Sequence, residues 1–152
     1  MKNLFFFVFN YIKKIYQLFF NIRTFGVRAI IVNNDQVLLI KHTYYPGWHF
    51  PGGAVDKGES PRQAIIREVF EEVGVLVKEQ PIVFDNYFHQ IHRVDDIVIL
   101  YVIKNYELVL SKCSEVKDLK WFNINDLPND ISHATKRRID EYYFHHTKSD
   151  FW

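Results

Sequence analysis

The chain has 152 residues, 48% of them hydrophobic, and a formal net charge of +1. That length supports one globular domain with its own core and not two. Near-neutral charge gives no global basic field, so no double-stranded nucleic acid is expected as a partner, and the single cysteine, Cys113, excludes an intramolecular disulfide and a cysteine-rich zinc site.

Residues 1–23, MKNLFFFVFNYIKKIYQLFFNIR, are Phe-rich. The apolar run Leu4–Phe9 is too short for a signal-peptide core, and polar residues break the segment too early for a membrane span. On a helical wheel Asn10, Lys13, Lys14, Gln17 and Asn21 share one narrow arc, and Leu4, Val8, Ile12, Ile15, Phe19 and Ile22 line the opposite side. The pattern predicts an amphipathic helix. It packs on its own domain, pairs with a second copy in a homodimer, or lies as a peripheral contact in a membrane interface; a cleaved targeting peptide is the remaining reading. Low cysteine use fits a reducing compartment, so the expected location is the cytoplasm, at the inner face of a membrane if the helix binds lipid.

Residues 24–152 read as the main domain. Gly26–Val32 predicts a strand, Asn33-Asn34-Asp35 a turn, and Gln36–Lys41 its partner strand. An aromatic loop, His42–Trp48, leads to the turn Pro51-Gly52-Gly53. Ser60 is a good N-cap and Pro61 suits the first helical position, so a helix runs from there to Val73 and stops at Gly74. Val75–Val77 and Pro81–His89 read as extended, Arg93–Asp96 as a polar turn, and Ile97–Ile103 and Lys120–Asn123 as strands. Ser132–Phe144 predicts a last helix with Lys136, Arg137 and Arg138 on its exposed side. The order implies an α/β fold with a mixed sheet between helices.

Residues 52–75 hold five acids, three of them within five residues: Glu68, Glu71 and Glu72. Residues three and four apart share a helix face, so these carboxylates converge and repel. An oxygen-only cluster suits a hard cation such as Mg²⁺ or Mn²⁺ that also binds phosphate oxygens. The opposite face carries Ala64, Ile65, Val69 and Val73, which would anchor the helix in the core.

Gly53, Glu59, Arg67, Glu68, Val69, Glu71, Glu72, Gly74 and Val75 hold the nine defined positions of a 23-residue pattern. The segment resembles the signature of the Nudix hydrolases, and the likeness extends over about Phe25–Phe144 through PGG at 51–53, Trp121-Phe122 and Asp126-Leu127-Pro128. The resemblance implies the Nudix fold, an α/β/α arrangement. It also implies divalent-metal-dependent hydrolysis of the pyrophosphate bond in a nucleoside diphosphate linked to another group, with water attacking phosphorus. It assigns Glu68 and Glu72 as principal metal ligands, Glu71 as a third, and the Gly53 carbonyl as completing the set. Glu59 and Arg67 are similar to a pair that braces the loop against the helix. Glu71 is the first candidate for general base; Asp95, Asp96 and Glu115 are candidates outside the signature.

Toward a small-molecule nucleotide substrate, Arg28 and His42 are candidates to face a phosphate or a base, and Tyr44, Tyr45 and Trp48 to stack on a nucleobase. His89, His92 and Arg93 are candidates to clamp phosphates. Two other classes compete: a non-catalytic Nudix-like nucleotide-binding module, and a membrane-associated module in which residues 1–23 carry the function. An isomerase on the same fold needs a cysteine before the signature, and Cys113 follows it.

Overall fold

Alternation along the first two strands fixes the layering. In the computed structural model, which describes Tyr11 and residues 23–91, 94–109 and 113–152, β1 (Thr24–Asn33) and β2 (Gln36–His42) are buried on both faces. Val27, Ala29, Ile31, Leu38 and Ile40 join one core cluster, and Ile30, Val37 and Leu39 join the other. Side chains of period two point to opposite faces, so one sheet separates two cores. The first is covered by α1 (Pro61–Val73) through Ala64, Ile65, Val69 and Val73, the face expected from the sequence. The second is covered by α2 (His133–Tyr143) through Ile139. Each fully buried Val, Leu or Ile among these contributes roughly 1.5–3 kcal/mol.

The remaining elements are β3 (Val75–Val77), β4 (Ile82–Ile91), β5 (Val94–Ile103), β6 (Tyr106–Leu108) and β7 (Val116–Asn123). The five-stranded sheet has the order β4-β5-β1-β2-β7, and β3 and β6 form a separate two-stranded sheet. β1 runs parallel to β5 from Thr24↔Asp96 to Ile31↔Ile103, while the other sheet pairings are antiparallel. The arrangement is the mixed sheet between helices that the sequence implied.

Three strand assignments and one burial differ from expectation. Asp95 and Asp96 stand in β5 rather than in a turn, because the ladder continues through them at Thr24↔Asp96, His89↔Asp96 and Gln90↔Asp95; Asp96 also accepts a hydrogen bond from Thr24 Oγ1 at 2.7 Å and Gln90 donates to Asp95 at 3.3 Å. β7 starts at Val116 and pairs with β2 over its whole length, with an irregularity at Lys41/His42. It is an exposed edge strand, so its first half carries no apolar alternation. β6 is three residues long and owes its existence to pairing with β3. Arg138 was expected on the exposed side of its helix and is instead fully buried. Its Nη2 donates to Glu141 Oε1 at 2.7 Å, its Nη1 donates to the Phe151 carbonyl at 3.0 Å, and its guanidinium lies 4.0 Å from the Tyr87 ring centre. Residues 149–152, which run beside β4, cover the helix face that sequence alone would leave in water.

Apart from Tyr11, the expected N-terminal helix, with its homodimer and membrane readings, lies outside the described residues, as do His92 and Arg93. No helix among the described residues is long and apolar enough to cross a membrane.

Candidate active site

The site begins where β1 parts from β2. Only the last two residues of β1 pair with β2, at Val32↔Val37 and Asn33↔Gln36. The near half pairs instead with the loop that precedes α1. Val27 N–H donates to the Gly53 carbonyl at 2.9 Å, Ala29 N–H to Pro51 at 3.0 Å, and Val55 N–H to Phe25 at 2.9 Å. Gly52 makes this approach feasible. Its φ is +133°, and a Cβ there would collide with the Val27 carbonyl and stand 3.0 Å from Arg28 Cα.

The helix is set against that loop by its ends. Ser60 caps it, with a reciprocal box through Gln63, Pro61 opens it, and Gly74 ends it in the left-handed region at φ 66°. With its apolar stripe fixed in the core, Glu68 and Glu72 face the loop. Glu72 Oε2 accepts the Gly52 N–H at 2.8 Å. The Glu68 carboxylate sits where a Gly53 side chain would be: a Cβ there would lie 2.5 Å from Glu68 Cδ and 2.7 Å from Oε2.

Arg67 binds the acids into one body. Its Nε and Nη2 grip Glu59 in a two-pronged pair, both at 2.9 Å. Its Nη1 donates to Glu68 Oε1 at 2.8 Å and to Glu71 Oε2 at 3.4 Å, and Nη2 also reaches the Ala54 carbonyl at 3.2 Å. Such paired, charge-assisted bonds fix orientation as well as energy. They hold the Glu59 carboxyl below the ordinary carboxylate range. Glu68 behaves in the opposite way: burial pushes it up, and Arg67 only partly offsets this. Glu72 is pushed up to about 7 by burial, against the pull of the Gly52 N–H and the Arg28 charge. Glu71 is more exposed, at 57% of its side chain.

Beside this turn Arg28 donates to the carbonyls of Val27 at 2.9 Å and Gly53 at 3.4 Å. It also lines a cavity of about 520 Å³ that runs from Gly26 to the start of α2. His42 and Tyr44 line the same space, stacked at 5.2 Å with 28° between their planes. Burial lowers the His42 pKa, helped by Arg28, and burial lowers that of His49, so both rings favour the neutral form.

The NUDIX domain model matches residues 22–143. The chain belongs to the NUDIX family. It is similar to the m7GpppN-mRNA hydrolase dcap-2 of Caenorhabditis elegans, with 32% identity over 116 residues that cover 70% of this chain and 14% of that protein. The RNA pyrophosphohydrolase of Vibrio atlanticus (strain LGP32) is 45% identical over 59 residues, 38% of this chain and 34% of that protein. Among solved structures, the MutT NUDIX hydrolase from Burkholderia pseudomallei superposes with a TM-score of 0.71 at 26% identity, over 80% of this chain and 98% of that one. The chain spans about a third or less of the length of these two curated relatives.

In this NUDIX domain the nine signature residues fall into place around one turn and one helix, but not all the other candidates gather there. Arg28, His42, Tyr44, Tyr45 and His89 line the cavity. Trp48 does not. It is 6% exposed, packs edge-on against Phe122 at 4.7 Å and has Lys41 over its ring, so it is a core residue rather than a stacking surface. Of the acids outside the signature, Asp95 pairs with Arg23 at 3.8 Å, while Asp96 lines the cavity and accepts a hydrogen bond from Thr24. Glu115 accepts a hydrogen bond from Tyr44 Oη at 3.4 Å, and its charge adds to the upward push on Glu72. Gly52, His49, Arg137 and Trp152 are neighbours that sequence reasoning missed. Gly52 was signalled by the paired glycines; Trp152 carried no signal.

Among the described residues no three His, Cys, Asp or Glu side chains already converge on one point. The donors nevertheless fit a hard cation. Glu68, Glu72 and the Gly53 carbonyl are all oxygen, and the buried Glu72 carboxylate is charged at a cost that a cation would relieve.

Proposed function

We propose that this NUDIX domain is a divalent-metal-dependent pyrophosphohydrolase of nucleoside diphosphate derivatives. The observation that supports the reading best is the pairing of Glu68 and Glu72 with the Gly52-Gly53 turn: two carboxylates one helical turn apart, one accepting the Gly52 N–H and the other packed where a Gly53 side chain would be. Glu68, Glu72 and the Gly53 carbonyl would hold Mg²⁺ or Mn²⁺, with Glu71 at the rim. Such an ion supplies charge neutralisation at the diphosphate and lowers the pKa of a water.

The chain's own residues supply the rest. Arg67 keeps Glu68 in place and, with Glu59, clamps the loop to α1. Arg28 stands at the junction of turn and cavity, where its guanidinium meets a phosphate oxygen. Water oxygen bonds to phosphorus, the bridging P–O bond breaks, and the displaced phosphate carries the bond's electron pair away. Glu71 takes the proton of the attacking water. Glu115 is the alternative acceptor, favoured by its contact with Tyr44 and its influence on Glu72.

The names of the relatives put RNA 5′ ends into the substrate screen beside nucleoside triphosphates and nucleotide sugars. A phosphate-release screen with Mg²⁺ and with Mn²⁺ tests the proposal. Turnover on at least one of these substrates, lost in Glu72→Gln, is the expected result. Full turnover in Glu72→Gln would refute the metal-site assignment. Comparing the pH–rate profiles of Glu71→Gln and Glu115→Gln at saturating Mn²⁺ identifies the base, because loss of the true acceptor lowers kcat by the roughly 10²–10⁴-fold typical of general-base catalysis and removes the acidic limb of the profile.

A further inference from the structure

The cavity beside Arg28 has one wall that the NUDIX signature does not supply. Residues 149–152 lie along β4 like an added strand. Phe88 N–H donates to the Asp150 carbonyl at 2.8 Å, and Trp152 N–H donates to the Phe88 carbonyl at 2.9 Å. Side chains of α2 hold the same segment from the other side. Arg137 Nη2 donates to the Trp152 carbonyl at 2.7 Å, Arg138 Nη1 donates to the Phe151 carbonyl at 3.0 Å, and Ser149 N–H donates to Glu141 Oε1 at 3.1 Å. The Trp152 ring is thus placed by backbone bonds on one side and buried charge on the other. Tyr87 backs it edge-on at 5.6 Å, and Arg138 stands 5.9 Å from its centre.

Of the chain's three tryptophans, Trp152 alone lines the cavity. Trp48 is in the core, and Trp121 stacks on Tyr106 elsewhere. His42, Tyr44, Tyr45 and Phe50 line the same cavity, together with the buried Asp96 and with Arg28, whose charge acts on Glu68 and Glu72. An aromatic chamber continuous with a phosphate-facing arginine suits a planar base attached to a diphosphate. The volume, about 520 Å³, leaves room for a nucleoside.

We propose that Trp152, carried into place by residues 149–152, is the closing wall of this chamber and sets by stacking how tightly the substrate's base is held. The inference rests on the pyrophosphohydrolase reading for the identity of its ligand. It assigns Trp152 a role in binding and specificity and none in the chemical step.

The experiment compares Trp152→Ala, Trp152→Phe and Phe151→Ala in the full chain. Phe151 belongs to the same segment but is 62% exposed and packs on Phe88, away from the cavity. With the best substrate from the screen, Trp152→Ala raises KM about 5- to 150-fold, the range of one lost base stack, and leaves kcat within about twofold. Phe151→Ala leaves both unchanged. A KM unaltered in Trp152→Ala, or raised equally in Phe151→Ala, overturns the proposal, the second because it would make the segment a structural strap only. Trp152→Phe keeps a ring and its packing, so it is the variant to read should Trp152→Ala fail to fold.

Titration with AMP gives a readout separate from turnover. Wild-type tryptophan fluorescence is quenched on binding. In Trp152→Phe the quench disappears while calorimetry still records AMP binding. Quenching by AMP in a protein that hydrolyses no substrate keeps the wall and refutes the enzyme. Hydrolysis without quenching, and with KM unaltered in Trp152→Ala, keeps the enzyme and refutes the wall.

Discussion

Replacing Gly53 with alanine isolates the Glu68 carboxylate from the fold. The φ of Gly53 lies outside the left-handed range, so the backbone accepts a side chain there. What the new methyl meets is the end of Glu68: Cδ at 2.5 Å and Oε2 at 2.7 Å, against ordinary contact at 3.4 Å or more. The carboxylate must therefore retreat by about 1 Å, a displacement of the size that costs on the order of 10²-fold in rate when a reacting group is misplaced. The retreat also strains the 2.8 Å bond from Arg67. Stability should hardly move. Alanine at a compatible position gains about 0.4–1 kcal/mol by restricting the unfolded chain, and a weakened part-exposed hydrogen bond costs about the same. The assay is kcat/KM on the screened substrate as Mn²⁺ is titrated, beside thermal unfolding. The expected result is a loss of about 100-fold with a Tm within a few degrees of wild type. Activity within threefold of wild type would refute the placing of Glu68 at the reacting centre. A Tm lower by 10 °C or more would show instead that the methyl disturbs the fold.

The neighbouring glycine predicts the reverse. In Gly52→Ala the new Cβ meets backbone rather than a flexible side chain, at a φ of +133°, so folding is lost along with activity; a soluble variant with wild-type circular dichroism and Tm would contradict this. Without added metal, stability should depend on Glu72. Its pKa rises from 4.5 to about 7 on folding, so the native state binds the extra proton and stability falls as pH rises from about 4.5 to 7. The loss has an upper bound of about 3 kcal/mol at 1.36 kcal/mol per pKa unit. Mn²⁺ should restore it and Glu72→Gln should flatten it, both checked by urea unfolding across pH. Glu141→Leu strands the fully buried Arg138 guanidinium and should cost about 3–5 kcal/mol in urea unfolding, whereas a loss below about 1 kcal/mol would mean that water reaches Arg138 in the native state. Arg67→Lys keeps the charge but not the two-pronged grip on Glu59; kcat should fall about 10-fold or more with little change in KM, and an unchanged kcat would reduce Arg67 to a surface charge.

Much of the candidate site was legible because its geometry is local. Glu68, Glu71 and Glu72 share a face through helical periodicity alone, Ser60 and Gly74 mark the ends of α1, and Ala64, Ile65, Val69 and Val73 mark its buried stripe. The strands were legible where both faces are buried, as in β1 and β2, and their limits were not where a strand lies at an exposed edge, as in β7. Arg138 shows why composition misleads: a helical cation reads as solvated until residues elsewhere in the chain cover it.

What the sequence settled is which carboxylates share a helix face and on which helix they stand, since contacts three and four residues apart follow from backbone geometry. Tertiary structure decided what faces them. Gly52 meets Glu72 across 20 residues and Tyr44 meets Glu115 across 71, while the chamber wall at Trp152 is built by pairing with Phe88. Contacts at such separations depend on how the sheet is ordered and on which cores hold it, and no short-range periodicity encodes either.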